Sequence, residues 1–219
     1  MEQHHIEFTE GHCERHASTA CPPYPSKAFE NVKVFLASNS PRRRELLSMI
    51  LPEFEIAAGR EVDESYPAEL APAEVPAFLS RVKSDAYADD MEAGSLLITA
   101  DTVVISDGAI LGKPKSPEEA CEMLLRLVGR RHTVVTGVTL RSSDGRVLTF
   151  SESTEVCFGE LSRAEIECYV ERYRPLDKAG AYGIQEWIGA AAIAGIDGCF
   201  YNVMGLPLHA LYRRLREFY

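Results

Sequence analysis

From position 32 onward the chain alternates between apolar runs of strand length and stretches of helical period. The run at 32–37 is short and apolar, as a buried strand would be. Ser40-Pro41 follows it with the N-cap and first-turn chemistry of a helix. Val75, Phe78, Leu79, Val82 and Ala86 recur at helical spacing through 75–90, whereas 96–105 is a continuous run rich in β-branched residues and is predicted as a strand. Asp107-Gly108 and Asp144-Gly145 are tight-turn dipeptides. The second joins strands predicted at 133–140 and 146–158. Ser116 to Glu119 and Ser162 to Glu165 have the spacing of capping boxes. In the first of these helices Met123, Leu124, Leu127 and Val128 form the buried stripe and Gly129 ends it; the second runs to about Arg172. A hairpin is predicted at 195–203, and Leu206-Pro207 opens the last helix. Hairpins interleaved with helices predict an α/β fold with a mixed sheet, not a strictly parallel one.

Residues 1–30 break this pattern. They are polar, almost aperiodic, and carry Pro22-Pro23-Tyr24-Pro25. Glu2, Glu7, Glu10 and Glu14 argue against a transit peptide, and no apolar core suggests a signal peptide. They are predicted as a loosely ordered extension to one domain at 31–219. Within 219 residues, 46% hydrophobic, a core of ordinary size is available. No apolar run approaches the roughly 18–20 residues of a membrane span. A net charge of −10 disfavours non-specific nucleic-acid binding, so any polyanion must meet a local basic cluster or a metal. The six cysteines form no C-x-x-C pair; Cys121, Cys157 and Cys168 lie in apolar-patterned segments, as free thiols of a reducing cytosol do. Cys13, His16 and Cys21 near His4 and His5 match no regular zinc module.

Two segments place charge where stability alone would not. The first is Ser38-Asn39-Ser40-Pro41-Arg42-Arg43-Arg44, which puts three arginines in a helix's first turn. The helix dipole disfavours each by roughly 0.3–1 kcal/mol when exposed, but free amides there, joined by guanidinium forks, suit phosphate. A solvated basic patch is the alternative. The second is Asp101, inside the apolar run at 96–105, costly to bury unless paired with a cation or metal. A strand-end aspartate facing solvent reads equally well. Lys83, on an otherwise apolar helix face, and Lys113, in the loop after the hairpin, could offset phosphate charge or simply be solvated. Among Glu61, Asp63 and Glu64, a carboxylate brought near Asp101 would complete a magnesium site. The small residues of Asp177-Lys178-Ala179-Gly180-Ala181-Tyr182-Gly183-Ile184-Gln185 permit close backbone approach to a ligand, or a tight turn.

Taken together with Val62-Asp63-Glu64, Ala100-Asp101-Thr102, Leu111-Gly112-Lys113-Pro114 and Val203-Met204-Gly205-Leu206-Pro207, these segments resemble, in order, the Maf family of nucleotide pyrophosphatases. The likeness spans residues 32 to 217; the first 30 residues, and by the same reading 187–194, have no counterpart in short bacterial members. The resemblance implies an elongated fold of two lobes around a central cleft, similar to inosine triphosphate pyrophosphatases. It implies Asp101, Lys83 and Lys113 as catalytic residues, and Asp101 with Glu64 as ligands of a divalent cation, Mg²⁺ or Mn²⁺. It further implies Ser38, Arg42, Arg43, Thr102 and Gln185 around the substrate. Arg42, Thr102 and Gln185 match the subgroup that prefers dTTP and UTP. A cytoplasmic homodimer without nucleic-acid or membrane partners is the accompanying expectation. The competing readings are a non-catalytic regulator of septum formation and a house-cleaning hydrolase of inosine or modified nucleotides; a P-loop enzyme is excluded by the missing G-x-x-x-x-G-K-[ST] loop.

Overall fold

The structure is a computed structural model describing residues 31–218 except Pro52. The predicted extension, with its histidines and two of the cysteines, lies outside the described residues. The elements run β1 (Lys33–Ala37), α1 (Pro41–Ser48), β2 (Glu55–Ile56), α2 (Val75–Asp85), β3 (Ser95–Ser106), β4 (Ala109–Leu111), α3 (Pro117–Leu127) and β5 (Arg131–Ser142). They continue with β6 (Val147–Phe158), α4 (Arg163–Tyr173), α5 (Trp187–Ala192), β7 (Ile193–Asp197), α6 (Phe200–Met204) and α7 (Leu208–Phe218). The sheet order is β2-β1-β3-β5-β6-β7, with β4 also pairing β3. Strand β1 is parallel to β2 and β3; the other pairings are antiparallel, so the sheet is mixed, as the hairpin signals predict.

Strand β3 organises the molecule. Its alternate residues Leu96, Ile98 and Ala100 face one apolar cluster with Leu36 of β1, Leu46 and Leu47 of α1, and Leu211 and Leu215 of α7. Val104, further along the same face, belongs to a second cluster with Leu124 and Leu127 of α3 and Ile166 and Tyr169 of α4. Thr102 lies between them on that face. This is the two-lobed arrangement that the resemblance implies, expressed as two cores on one sheet. On the opposite face Val103 packs with Val135 under Val75 and Leu79 of α2. Each fully buried leucine contributes about 1.5–3 kcal/mol relative to exposure, so both lobes are anchored by their own hydrophobic burial.

The local signals are realised with two differences. Asp107 and Gly108 both take positive φ, 50° and 75°, the geometry of a two-residue hairpin turn. Ser162 and Glu165 make the full reciprocal capping box. At the other box Ser116 accepts from the Glu119 amide, but the Glu119 carboxylate turns to the Lys115 amide instead, so only half the motif forms. The predicted hairpin at 195–203 is not one: β7 is followed by Gly198, at φ 129°, and then by helix α6. The reason lies in Asn202, fully buried, whose Nδ2 donates to the Val134 carbonyl and to Thr154 Oγ1, both at 3.0 Å. Those bonds tie a helical turn against β5 and β6 where a returning strand was expected.

Candidate active site

The site begins as a gap in the sheet. Strand β1 covers one edge of β3 from Ser95 to Thr99, and β4 covers it from Val104 to Ser106. Residues 100–103 therefore have a strand neighbour on one side only, β5. Helix α1 starts directly after β1, so its N-terminus stands at this notch. Ser40 caps it, accepting from the Arg43 amide at 3.4 Å, and Ser38 Oγ accepts from the Ser40 amide at 3.2 Å.

The two arginines that follow do different things. Arg43 folds back into the notch: Nη1 donates to the Ala100 carbonyl at 2.9 Å, Nη2 to Thr102 Oγ1 at 2.9 Å, and Nε to the Gly205 carbonyl at 2.8 Å. It thus satisfies a carbonyl that the missing strand partner leaves free and ties α1 to the turn before α7. Burial lowers the pKa of its guanidinium, against the opposing charge of Asp101. Arg42 reaches the other way, to Asp177 Oδ2 at 2.6 Å, across the mouth of the cleft.

Asp101 leaves β3 on the opposite face, under α2. Lys83 Nζ lies 2.6 Å from Asp101 Oδ1 and 3.1 Å from Glu64 Oε1, so two carboxylates converge on one nitrogen. The approach depends on Gly137, which pairs with Asp101 across β5: a Cβ there would sit 2.2 Å from the Pro76 backbone carbon at the start of α2. The register of α2 is further set by Thr99 Oγ1 donating to the Ser80 carbonyl at 2.7 Å and by a bond of 2.9 Å between the Ser80 and Thr139 hydroxyls. Of the acidic trio only Glu64 reaches the site. Asp63 bonds locally to Ser65, whose amide and hydroxyl lower its pKa.

Two adjoining cavities, of about 380 and 360 Å³, wrap this notch. Each is of the size small-molecule sites occupy. Both are lined by Arg42, Arg43, Glu64, Lys83 and Lys113. Lys113 is exposed and has no ion pair among the described residues. One cavity continues along Ser38–Pro41 and Arg60; the other takes in Asp101, Thr102, Tyr182, Gln185 and Met204. All the residues that the family resemblance implies for the site thus line one hollow surface. Thr102 does so with its hydroxyl already bonded to Arg43 and, at 2.9 Å, to Thr136. Gln185 is exposed at the cavity edge.

Beyond Gln185 the wall is built from residues that sequence reasoning did not select. Tyr182 is buried, its hydroxyl 2.7 Å from His132 Nε2, and its ring is edge-on to both His132 and Phe158. Burial holds Tyr182 well above the usual phenol range and pushes His132 down to about 4, so both are neutral at pH 7. In the sequence Asp177 is only the first residue of a glycine-bearing segment. Burial pushes its carboxyl up, but hydrogen bonds from Lys178 and Arg42 bring it down to about 2. The close approach made by Gly180, at φ 67°, is to a neighbouring side chain: a Cβ would meet Val104 at 3.0 Å. Ala181 beside it holds φ 59° without being glycine, which costs about 1–2 kcal/mol and marks a segment held by its surroundings. Only an unpaired charge at long range could have flagged this wall in advance, and sequence spacing does not display one.

A mixed α/β sheet interrupted to admit a helix N-terminus, with cations ringing a paired carboxylate, is suited to a polyphosphorylated ligand. The chain belongs to the Maf family: the family described as Maf-like protein matches residues 33–218. A dTTP/UTP pyrophosphatase from Porphyromonas gingivalis is 55% identical over 192 residues, covering 87% of this chain and 96% of that protein. One from Bacteroides thetaiotaomicron is 50% identical over 189 residues, covering 86% and 97%. Among solved structures, a nucleoside-triphosphatase / dITP/XTP pyrophosphatase from Mycobacterium abscessus superposes at a TM-score of 0.44 and 13% identity, covering 85% of this chain and 97% of that one. That likeness is too low to bear on the site.

Proposed function

We propose that this protein hydrolyses dTTP and UTP between the α- and β-phosphates, yielding the nucleoside monophosphate and pyrophosphate. The observation that carries the reading is the position of Asp101, Lys83 and Glu64 where two cavities of different chemistry meet. The cavity along Ser38–Pro41 suits the β- and γ-phosphates; the one holding Tyr182, Gln185 and Met204 suits a base. The relatives' shared name points to the same substrates.

Water attacks the α-phosphorus while the bond to the bridging oxygen breaks. Asp101 orients the water and takes its proton. Arg42, Lys83 and Lys113 offset the negative charge that collects on departing pyrophosphate. Arg43 acts at one remove, holding the helix N-terminus against the notch. Its donors to Ala100, Thr102 and Gly205 account for three of its five N–H groups. Asp101 and Glu64, whose carboxylates both reach Lys83 Nζ, are the residues that would hold a divalent cation, Mg²⁺ or Mn²⁺, beside that ammonium. Such a cation takes one or two carboxylates and completes its shell with phosphate and water. No group of three or more potential ligands forms among the described residues, so the chain offers two carboxylates and not a cage. Bound there, the cation would supply positive charge at the reacting phosphate. Gln185 offers a donor and an acceptor, matching the imide edge that thymine and uracil share.

A homodimer in the cytoplasm belongs to the same proposal, on the family resemblance; no described helix is long and apolar enough to cross a membrane. The test is a screen of nucleoside triphosphates with Mg²⁺, scoring pyrophosphate against orthophosphate. Pyrophosphate release from dTTP and UTP, with ATP and GTP poor, is expected. Orthophosphate as the main product would overturn the bond assignment, and equal kcat/KM for UTP and GTP would overturn the base assignment.

A further inference from the structure

Behind Gln185 lies a chain of charges of which the proposed reaction uses only the first, Arg42. Arg42 pairs with Asp177, Asp177 with Lys178 at 2.8 Å, and Lys178 Nζ with Glu186 Oε1 at 3.1 Å. The other oxygen of Glu186 accepts a short hydrogen bond from the Tyr169 hydroxyl, and that hydroxyl accepts from the Gly183 amide at 3.2 Å. Lys178 and Glu186 are both largely withdrawn from water, with side chains 9% and 17% exposed. Gly183 makes room for this: a Cβ there would stand 2.8 Å from Glu186 Cδ. The Tyr169 ring is itself fixed, stacked on Tyr173 and Trp187.

A buried ion pair is weak support for stability, since apolar residues of similar volume often serve as well or better. Its worth here is positional. Glu186 follows Gln185 directly, and Gly183 precedes it by two residues, so the network grips the backbone on both sides of the residue proposed to read the base. An exposed side chain such as Gln185 discriminates only if the backbone beneath it is held to a fraction of an ångström. The first pair in the chain, Arg42–Asp177, joins this support to the proposed phosphate end.

We propose that Tyr169, Lys178 and Glu186 are positioning residues for base selection, locking the segment from Gly183 to Gln185 so that it favours pyrimidine over purine nucleotides. The proposal rests on the reading of Gln185 given above. It predicts a change in selectivity, which a merely structural role would not produce: general loosening lowers kcat/KM for every nucleotide by a common factor.

The experiment compares kcat/KM for UTP and GTP in wild type, Tyr169→Phe, Glu186→Gln and Lys178→Arg. Tyr169→Phe keeps the stacked ring and removes only the hydroxyl that joins Gly183 to Glu186, so it should fold. Glu186→Gln keeps an acceptor for Tyr169 and loses the charge facing Lys178. The UTP-to-GTP ratio should fall at least fivefold in both, while Lys178→Arg, which keeps the charge facing Glu186, should retain most of the wild-type ratio. A selective wild type with Tyr169→Phe and Glu186→Gln keeping their ratio within twofold, or losing both substrates equally, overturns this inference alone. A wild type that does not distinguish the two bases overturns the base reading and the inference with it.

Discussion

The two ends of the cleft are assembled in opposite ways. At the proposed phosphate end, Ser38, Ser40, Arg42 and Arg43 come from a single strand-to-helix turn, and their first hydrogen bonds are local. At the proposed base end, Tyr182 and Gly183 are held by His132 and Tyr169, 50 and 14 residues away along the chain. The backbone of the phosphate end is consequently determined by short-range geometry: once β1 ends and α1 is capped, the amides are in place, and only the arginine side chains reach on to distant partners, Arg42 to Asp177 and Arg43 to Ala100, Thr102 and Gly205. The base end is determined by packing among residues distant in sequence within one apolar cluster, where Phe158, Tyr169, Ala181 and Tyr182 meet, and its backbone takes positive φ at Ala181 there. Chemistry common to all nucleotides sits on the local frame, and discrimination between bases sits on the long-range one.

The sharpest way to break this comparison is at the point where the ends meet. Asp101→Asn should lower kcat about 10³-fold for every nucleotide, within the range expected for loss of a general base. Stability should change by less than about 1 kcal/mol, because Lys83 keeps Glu64 as a partner at 3.1 Å. Turnover within a few-fold of wild type would remove Asp101 from the reaction.

A smaller effect, on stability, tests how rigidly Asp101 is presented. Gly137→Ala puts a methyl against the backbone of Pro76 and Ala77, at 2.2 and 2.3 Å, where no side chain can swing aside. Overpacking of that kind should cost about 3 kcal/mol, at the upper end of the usual range. The change would be read as a drop in urea midpoint at constant slope. A loss under about 0.5 kcal/mol would mean that α2 slides freely over β5, and that the Lys83–Asp101 contact is not set by the backbone.

His132 tests the base end in the same terms. Its folded pKa, about 4, lies below the ordinary 6.5 because burial disfavours the charged ring. The sign is that of a group kept neutral by the fold. Its contribution is fully present above pH 6.5 and is lost as pH falls toward 4, because only the unfolded chain gains the proton there. About 2 kcal/mol should be gone by pH 5. Denaturant unfolding at pH 7 and pH 5 should show that loss in wild type and not in His132→Gln. An equal acid sensitivity in both would place the titration elsewhere.

This difference between the ends also explains what could be read from the sequence. Strands β1, β3, β5 and β6 and the helix caps at Ser40 and Ser162 are written in period and capping chemistry, which act within a few residues. Arg42, Asp101 and Lys83 stand out because each violates a local expectation for stability. Asp177, Lys178 and Glu186 violate none: they look like ordinary surface charges, and only the fold brings them to one another. Asn202 shows the same limit for structure, since its bonds to Val134 and Thr154 decide that 200–204 is helical and the local pattern does not. The double role of Arg42 and Arg43 was hidden for the converse reason, adjacent arginines being alike in sequence and opposed in direction once the notch exists.

The weakest expected effect lies at the link between the ends. Asp177 is just over half exposed, so its ion pair with Arg42 is screened by water and should contribute no more than about 1 kcal/mol. Its pKa of about 2 arises against burial, which raises it, because hydrogen bonds from Lys178 and Arg42 lower it further. A carboxylate depressed in this way stabilises the fold above its unfolded pKa of about 4 and loses that contribution as pH falls toward 2. Asp177→Asn should therefore be slightly less stable than wild type at pH 7, with the gap closing as pH falls through that window. Paired denaturant titrations from pH 7 to pH 3 would show it. A gap that is constant with pH would mean that the asparagine lost packing and not charge. A gap well above 1 kcal/mol would mean that Lys178, only 9% exposed, depends on Asp177 as much as on Glu186, and that the two ends of the cleft are joined by a bond of structural weight.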